Sequence, residues 1–188
     1  TACRSSDPRR RVLYEQKTKA EEIRRHTIAV LVDNEPGVLA RVIGLFSGRG
    51  YNIDSLTVAE VDRAEHLSRI TIVTSGTEQI IEQIKALLAK QVPVRRLADL
   101  TVEGDVVERE LALAKVTGDR PRLIDALRVA DFMGARLVDR TLDTLTFEVT
   151  GSSEDIDSFL RLLEPAEVSR AGVVAMARGT RTLSPQQI

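Results

Sequence analysis

The strongest limit on the fold of this chain is an apolar pattern that passes through strand, helix, strand, strand, helix, strand and then does so again. Residues 27–32, Thr27-Ile28-Ala29-Val30-Leu31-Val32, form a run rich in β-branched residues. Asp33-Asn34-Glu35-Pro36-Gly37 ends that run, which therefore reads as a strand and a turn. Val38, Leu39, Val42, Ile43, Leu45 and Phe46 then recur at helical spacing, and Gly48 with Gly50 closes a helix of about three turns. Strand-like runs at 51–61 and 67–75 are joined by the charged loop Asp62-Arg63-Ala64-Glu65-His66 and predict a hairpin. Gly76 and Thr77 open a second helix, with Ile80, Ile81, Ile84, Leu87 and Leu88 on one stripe, and residues 92–102 read as a fourth strand.

Gly104 and Asp105 interrupt the pattern, after which it repeats. Residues 110–116 read as a strand, 120–133 as a helix with Leu123, Ile124, Leu127 and Ala130 inward, and 135–141 as a strand. Leu145, Phe147 and Val149 alternate in the next strand; Ser153 with Ile156, Phe159, Leu160 and Leu163 predicts a capped helix, and 168–177 a last strand. The expected fold is α+β, two tandem ferredoxin-like βαββαβ sandwiches, each a four-stranded antiparallel sheet with two helices on one face. Such a unit leaves one sheet face bare. In residues 27–32 both sides of the strand are apolar, so the outer face is expected to be buried as well. Self-association through the sheet face or edge, giving a homodimer, is preferred to a contact between the two halves.

Composition narrows the function. Lys and Arg number 27 against 28 for Asp and Glu, so no long-range field favours a nucleic acid or an anionic membrane. Aromatic residues make up 3% and Trp is absent, which leaves few rings for base stacking or a flat cofactor. A lone cysteine, Cys3, has no partner within the chain, and the apolar runs fall short of the roughly 20 residues of a bilayer span. Residues 1–25 carry Arg and Glu throughout, among them Arg9-Arg10-Arg11, without the apolar segment of a signal peptide; they read as a polar tail or a lone solvated helix. A cytoplasmic protein is expected.

No nucleophile elbow, phosphate-binding Gly-rich loop or dinucleotide fingerprint is present. His26 and His66 lie far apart and off metal-ligand spacing, so no metal is expected. Glu108 and Glu110 share one face of a strand, a placement that suits acid and base work but fits a solvated edge better. The one local feature with a binding rationale is the junction 33–39. Backbone amides at a helix start favour an anion, so a ligand carboxylate can sit near Gly37, Val38 and Leu39, with Asn34 adding a side-chain hydrogen bond. Gly37 permits close approach. On spacing alone the simpler reading is preferred: Asn34 caps the helix and Pro36 preorganises its first turn.

The stretches Asn34-Glu35-Pro36-Gly37-Val38-Leu39-Ala40-Arg41-Val42-Ile43-Gly44-Leu45-Phe46-Ser47, Arg49-Gly50-Tyr51-Asn52-Ile53-Asp54-Ser55-Leu56-Thr57-Val58 and Ser68-Arg69-Ile70-Thr71-Ile72-Val73 resemble the ACT domain of the acetohydroxyacid synthase small subunit family. The resemblance continues through 107–113 and 170–179 and covers roughly residues 26–179. It implies a polar tail at 1–25, an ACT domain for effector binding and dimerisation at 26–103, a second βαββαβ domain at 104–179 and a short tail at 180–188. It also implies a regulatory subunit that is not itself an enzyme. Its partner is a large catalytic subunit that makes acetolactate from pyruvate with thiamine diphosphate and magnesium, and no cofactor is expected in this chain.

In the family two ACT domains pair side by side and an effector, usually valine, sits between them. Carried over, one chain supplies Asn34, Gly37, Val38 and Leu39, and its neighbour supplies Asn52 and Ile53. Val38, Leu39 and Ile53 are then expected to line the apolar part of the pocket. The loop 60–66 departs from some relatives and is where contact with the catalytic subunit is expected. The principal alternative is a stand-alone amino-acid-sensing ACT protein acting on another enzyme or regulator. A repressor, an enzyme and a ligand-free adaptor compete less well; a repressor needs a helix-turn-helix for which residues 1–25 are too short.

Overall fold

The computed structural model describes residues 22–91 and 93–183. The first half runs β1 (Arg24–Asp33), α1 (Val38–Ser47), β2 (Ser55–Asp62), β3 (Leu67–Gly76), α2 (Glu78–Ala89) and β4 (Val94–Asp99). The second half runs β5 (Val106–Thr117), α3 (Arg120–Met133), β6 (Arg136–Arg140), β7 (Thr144–Gly151), α4 (Ser153–Leu163), β8 (Glu167–Arg170) and β9 (Val174–Ala177). The sheets are antiparallel, with strand orders β2-β3-β1-β4 and β6-β7-β5-β8, so the α+β repeat legible in the apolar pattern is the fold.

Each sheet buries one face against its two helices. In the first lobe Ile28, Val30, Val32, Ile70 and Ile72 meet Val42, Leu45 and Phe46 of α1 and Ile81, Ile84 and Leu88 of α2. In the second, Ala112, Ala114, Val116, Phe147 and Val149 meet Leu123, Ala126 and Ala130 of α3 and Ile156, Phe159 and Leu163 of α4. The helix starts carry their own signals: Thr77, Asp119 and Ser152 each accept a bond from a first-turn amide, and Ser152 and Asp155 complete a capping box.

The two lobes differ on the opposite face. On the helix-free side of the first sheet Thr27, Ala29, Leu31, Thr71, Val73 and Ala98 are all at most 8% exposed. Their cover comes from the same chain. The last strand, expected as one run over 168–177, is two strands broken at Ala171-Gly172-Val173: β8 stays in the second sheet while β9 crosses onto the first lobe and pairs Val106–Arg109 of β5. There Ala175 packs on Ala29, Ala98 and Leu100, with Val106, Ala177 and Leu183 around it. Backbone groups in this strap are matched by side chains of the first sheet. Ser55 Oγ accepts from the Val173 amide at 2.9 Å, Thr57 Oγ1 donates to the Val173 carbonyl at 2.9 Å, and the Arg69 guanidinium donates to the Ala175 carbonyl at 2.7 Å. The bare face is thus closed by the second half of the chain, which removes the sheet face, though not its edge, as a reason for self-association.

Two carboxylates read as a solvated edge also join the lobes or brace the strap. Glu108 accepts from Thr27 Oγ1 and, at 2.9 Å, from Arg25. Glu110 is 4% exposed and is gripped by the Arg170 fork at 2.9 and 2.6 Å, while Arg170 also reaches Asp157 at 2.6 Å. β1 starts two residues inside the stretch expected as a tail, Leu183 packs where a tail was expected, and residues 1–21 and 184–188 lie outside the described residues.

Two tests follow from the strap and its brace. Gly172 has φ +81, and a Cβ there would lie 2.9 Å from both Ser55 Oγ and Thr57 Cγ2. Gly172→Ala should therefore lower stability by about 1–3 kcal/mol in chemical denaturation. The hydrogen bonds and charge of Arg170 hold the Glu110 carboxyl below its ordinary value of 4.5. Its contribution is complete above that ordinary value and disappears as pH falls through the depressed one. Glu110→Gln should show a smaller loss of thermal stability between pH 6 and about pH 3 than the unaltered chain.

Candidate functional site

The β1–α1 junction is built differently from the other helix starts. The cap of α1 is Gly37, at φ +85, and no side chain accepts a bond from its first-turn amides. A Cβ built at Gly37 would meet nothing within 4 Å, so the approach to this helix start is open. Asn34 does not cap the helix. Its Nδ2 donates to Glu60 Oε1 at 3.3 Å and its amide donates to the His66 carbonyl at 2.7 Å, which ties the loop to the end of the β2–β3 hairpin. Asp33 at the strand end accepts from Arg95 at 2.7 Å.

Val38 is 5% exposed and its side chain belongs to the first core. Its amide donates to the Glu35 carbonyl at 3.3 Å and its side chain offers no pocket wall, which corrects the role expected for that side chain. Leu39 is half-exposed on α1, beside Ile43 one turn on, and both lie near the open edge formed by β2, where Val58 is also exposed.

Asn52 and Ile53 precede β2 at the other end of the sheet. Asn52 Nδ2 donates to Asp54 Oδ1 at 2.5 Å, its carbonyl accepts from Thr74 Oγ1 at 2.6 Å, and Ile53 packs half-buried against the first core. Because Leu67 pairs with Asp33 while Thr74 pairs with His26, the two groups of residues are separated along β3 by seven positions, about 23 Å. One chain therefore does not bring Asn34, Gly37, Val38 and Leu39 together with Asn52 and Ile53.

Two partners, Glu60 and Asp54, are absent from the site expected on sequence. Asp54 stands two residues from Asn52 and was within reach of a turn argument; Glu60 is 26 residues from Asn34 and is brought there only by the sheet. Next to Asp54, an open cleft of about 510 Å³ separates the lobes, lined among others by Arg25, Asp54, Ser55, Glu110, Arg170 and Gly172. Its charged groups bond within the chain, Arg25 to Glu108, Asp54 to Ser75 and Arg170 to Glu110. His26 is buried beside Asp99 at 3.0 Å, with Lys85 3.8 Å from the same carboxylate, while His66 holds the turn before β3 at φ 50.

Residues 28–96 match a family model described as an AHAS small subunit-like ACT domain, and residues 109–179 one described as the small subunit of acetolactate synthase. A probable acetolactate synthase small subunit from Archaeoglobus fulgidus is 41% identical over 160 residues, which span 84% of this chain and 99% of that protein. The small subunit of acetolactate synthase isozyme 3 from Escherichia coli is 40% identical over 163 residues, 85% and 99% of the two chains. The crystal structure of the acetolactate synthase small subunit from Thermotoga maritima superposes with a TM-score of 0.75 at 34% identity, covering 84% of this chain and 99% of that one.

The long, exposed bond from Asn34 to Glu60 carries little of the fold. Asn34→Ala should change unfolding free energy by less than about 0.5 kcal/mol, whereas Asp119→Ala, which removes a true cap, should cost about 1 kcal/mol in the same denaturation series.

Proposed function

The chain belongs to the acetolactate synthase small subunit family, and from that premise we propose that it is a non-catalytic regulatory subunit that binds valine and passes the binding on to a separate large subunit. The large subunit carries the thiamine diphosphate and magnesium and forms acetolactate from pyruvate in branched-chain amino acid biosynthesis. This chain raises that activity and confers feedback inhibition, working in the cytoplasm as a homodimer.

The observation that carries this reading is the open start of α1. Of the four described helices, α2, α3 and α4 are closed by their own Thr, Asp or Ser, while α1 begins at an unobstructed glycine. Such a start suits the carboxylate of a small amino acid. The distance between the two halves of the site supports a dimer. β2 is an edge strand, and two such edges paired antiparallel about a two-fold set the Ser55 end of one chain against the Asp62 end of the other. Asn34, bonded to Glu60 near that end, then meets Asn52 and Ile53 of the second chain. Glu60 and Asp54 offer acceptors for an ammonium group, and Leu39 and Ile53 the apolar wall for a branched side chain. Leu39, Ile43 and Val58 would be covered in the same contact. Inhibition requires that the active and less active assemblies bind valine unequally.

The decisive experiment mixes the chain with its large subunit and follows acetolactate formation with and without valine. Gly37→Asp puts a carboxylate where the ligand's own should sit. Asp tolerates positive φ and has open space around its Cβ, so the fold should survive. This variant should still raise the rate but lose inhibition, with valine affinity falling at least about tenfold in calorimetry. Unchanged affinity would remove the site from this loop, and no rise in rate on mixing the unaltered chain would end the reading.

A further inference from the structure

The second lobe exposes an edge of its own. β6 is the outer strand of its sheet, and all five of its residues, Arg136-Leu137-Val138-Asp139-Arg140, are exposed. The helix α3, which carries half-exposed Ile124 and Leu127, lies against β6. The two most exposed large apolar side chains among the described residues also bracket this strand: Phe132, 84% exposed, shortly before it, and Leu142, 93% exposed, just after it. Side chains this apolar, placed at both ends of an unpaired strand edge, mark a contact surface.

We propose that β6 pairs antiparallel with β6 of a second copy of this chain, in the register that sets Leu137 opposite Val138. The charges choose both occupant and register. With Leu137 opposite Val138, Arg136 stands opposite Asp139 of the second copy, and the two-fold makes this pair twice. A pairing centred on Val138 would instead set Arg136 against Arg140 twice. Within the chain Arg136 pairs with Glu148 and Asp139 with Thr146, two apart on β7, so Arg136 and Asp139 project to one face and can meet across the contact. Val138 sits at the bulge between Leu137 and Asp139. Antiparallel pairing also brings the Leu142 end of β6 in each copy to the Phe132 end of β6 in the other. One symmetric contact thus has both outlying apolar side chains at its ends. This interface is distinct from the β2 edge and stands whether or not that edge pairs.

The test uses the full chain with Cys3→Ser, Arg136→Cys and Asp139→Cys. Positions 136 and 139 lie about 10 Å apart along one strand, beyond the reach of a disulfide, so a bridge forms only between copies. Oxidation with diamide should give a covalent dimer on a non-reducing gel, at several times the yield of either single-cysteine variant. Equal yields from the single variants, or no covalent dimer, would overturn the proposal. Thiols that stay free in the isolated chain and are shielded from alkylation only when the large subunit is added would assign the edge to that subunit and overturn it as well. Independently, Asp139→Arg sets like charges opposite one another and should weaken this association at least about tenfold in sedimentation equilibrium. An unchanged dissociation constant counts against the register and the contact together.

Discussion

The structure rests on the need to bury both faces of β1. Ile28, Val30 and Val32 point to the helices, while Thr27, Ala29 and Leu31 point the other way and are as dry as the first set. A βαββαβ unit supplies cover for only one side. The second cover is the strap, and its requirements account for several features that otherwise look unrelated. β5 runs twelve residues because its first third serves the strap and the rest serves the second sheet. The final strand breaks at Gly172 because the chain must leave one sheet and lie close against Ser55 and Thr57 of the other. Arg69 is half-buried because its guanidinium reaches over the sheet to the Ala175 carbonyl, and that burial lowers its pKa.

The same pattern therefore yields two lobes with different surfaces. The first sheet buries both faces of its central strands, β1 and β3. The second keeps a helix-free face with the ion pairs Lys115–Glu167 at 2.9 Å and Arg136–Glu148 at 3.0 Å and half-exposed Leu111 and Leu113, the one-sided alternation of an antiparallel sheet facing water. What distinguishes the lobes functionally is local: Asp119 closes the start of α3, whereas Gly37 leaves the equivalent start of α1 open.

Periodicity made the elements legible. The helix expected over 120–133 occupies those residues and Asp119 caps it; Leu123 and Ala130 face inward as expected, joined by Ala126, whereas Ile124 and Leu127, also expected inward, are half-exposed. What periodicity misses is partnership across distance. Residues 168–177 alternate well enough to read as one strand, and only the glycine at 172 signals a change of sheet. Glu108 and Glu110 resemble a solvated edge in one dimension, yet their partners Thr27, Arg25 and Arg170 come from elsewhere in the chain. The site residues follow from resemblance to a family, and their geometry within one chain, at opposite ends of a sheet, follows from the β2–β3 register and not from spacing.

The strap is synthesised well after the sheet that it covers. The first lobe has all four of its strands once Asp99 has been made, but Val173, which begins its outer cover, lies 74 residues further on (173 − 99). At about 5–20 residues per second, a ribosome leaves that apolar face without its lid for about 4–15 s. The first lobe is thus born with its back open to water, and a nascent chain interrupted before Gly172 would present to the cell a surface that the finished protein never shows.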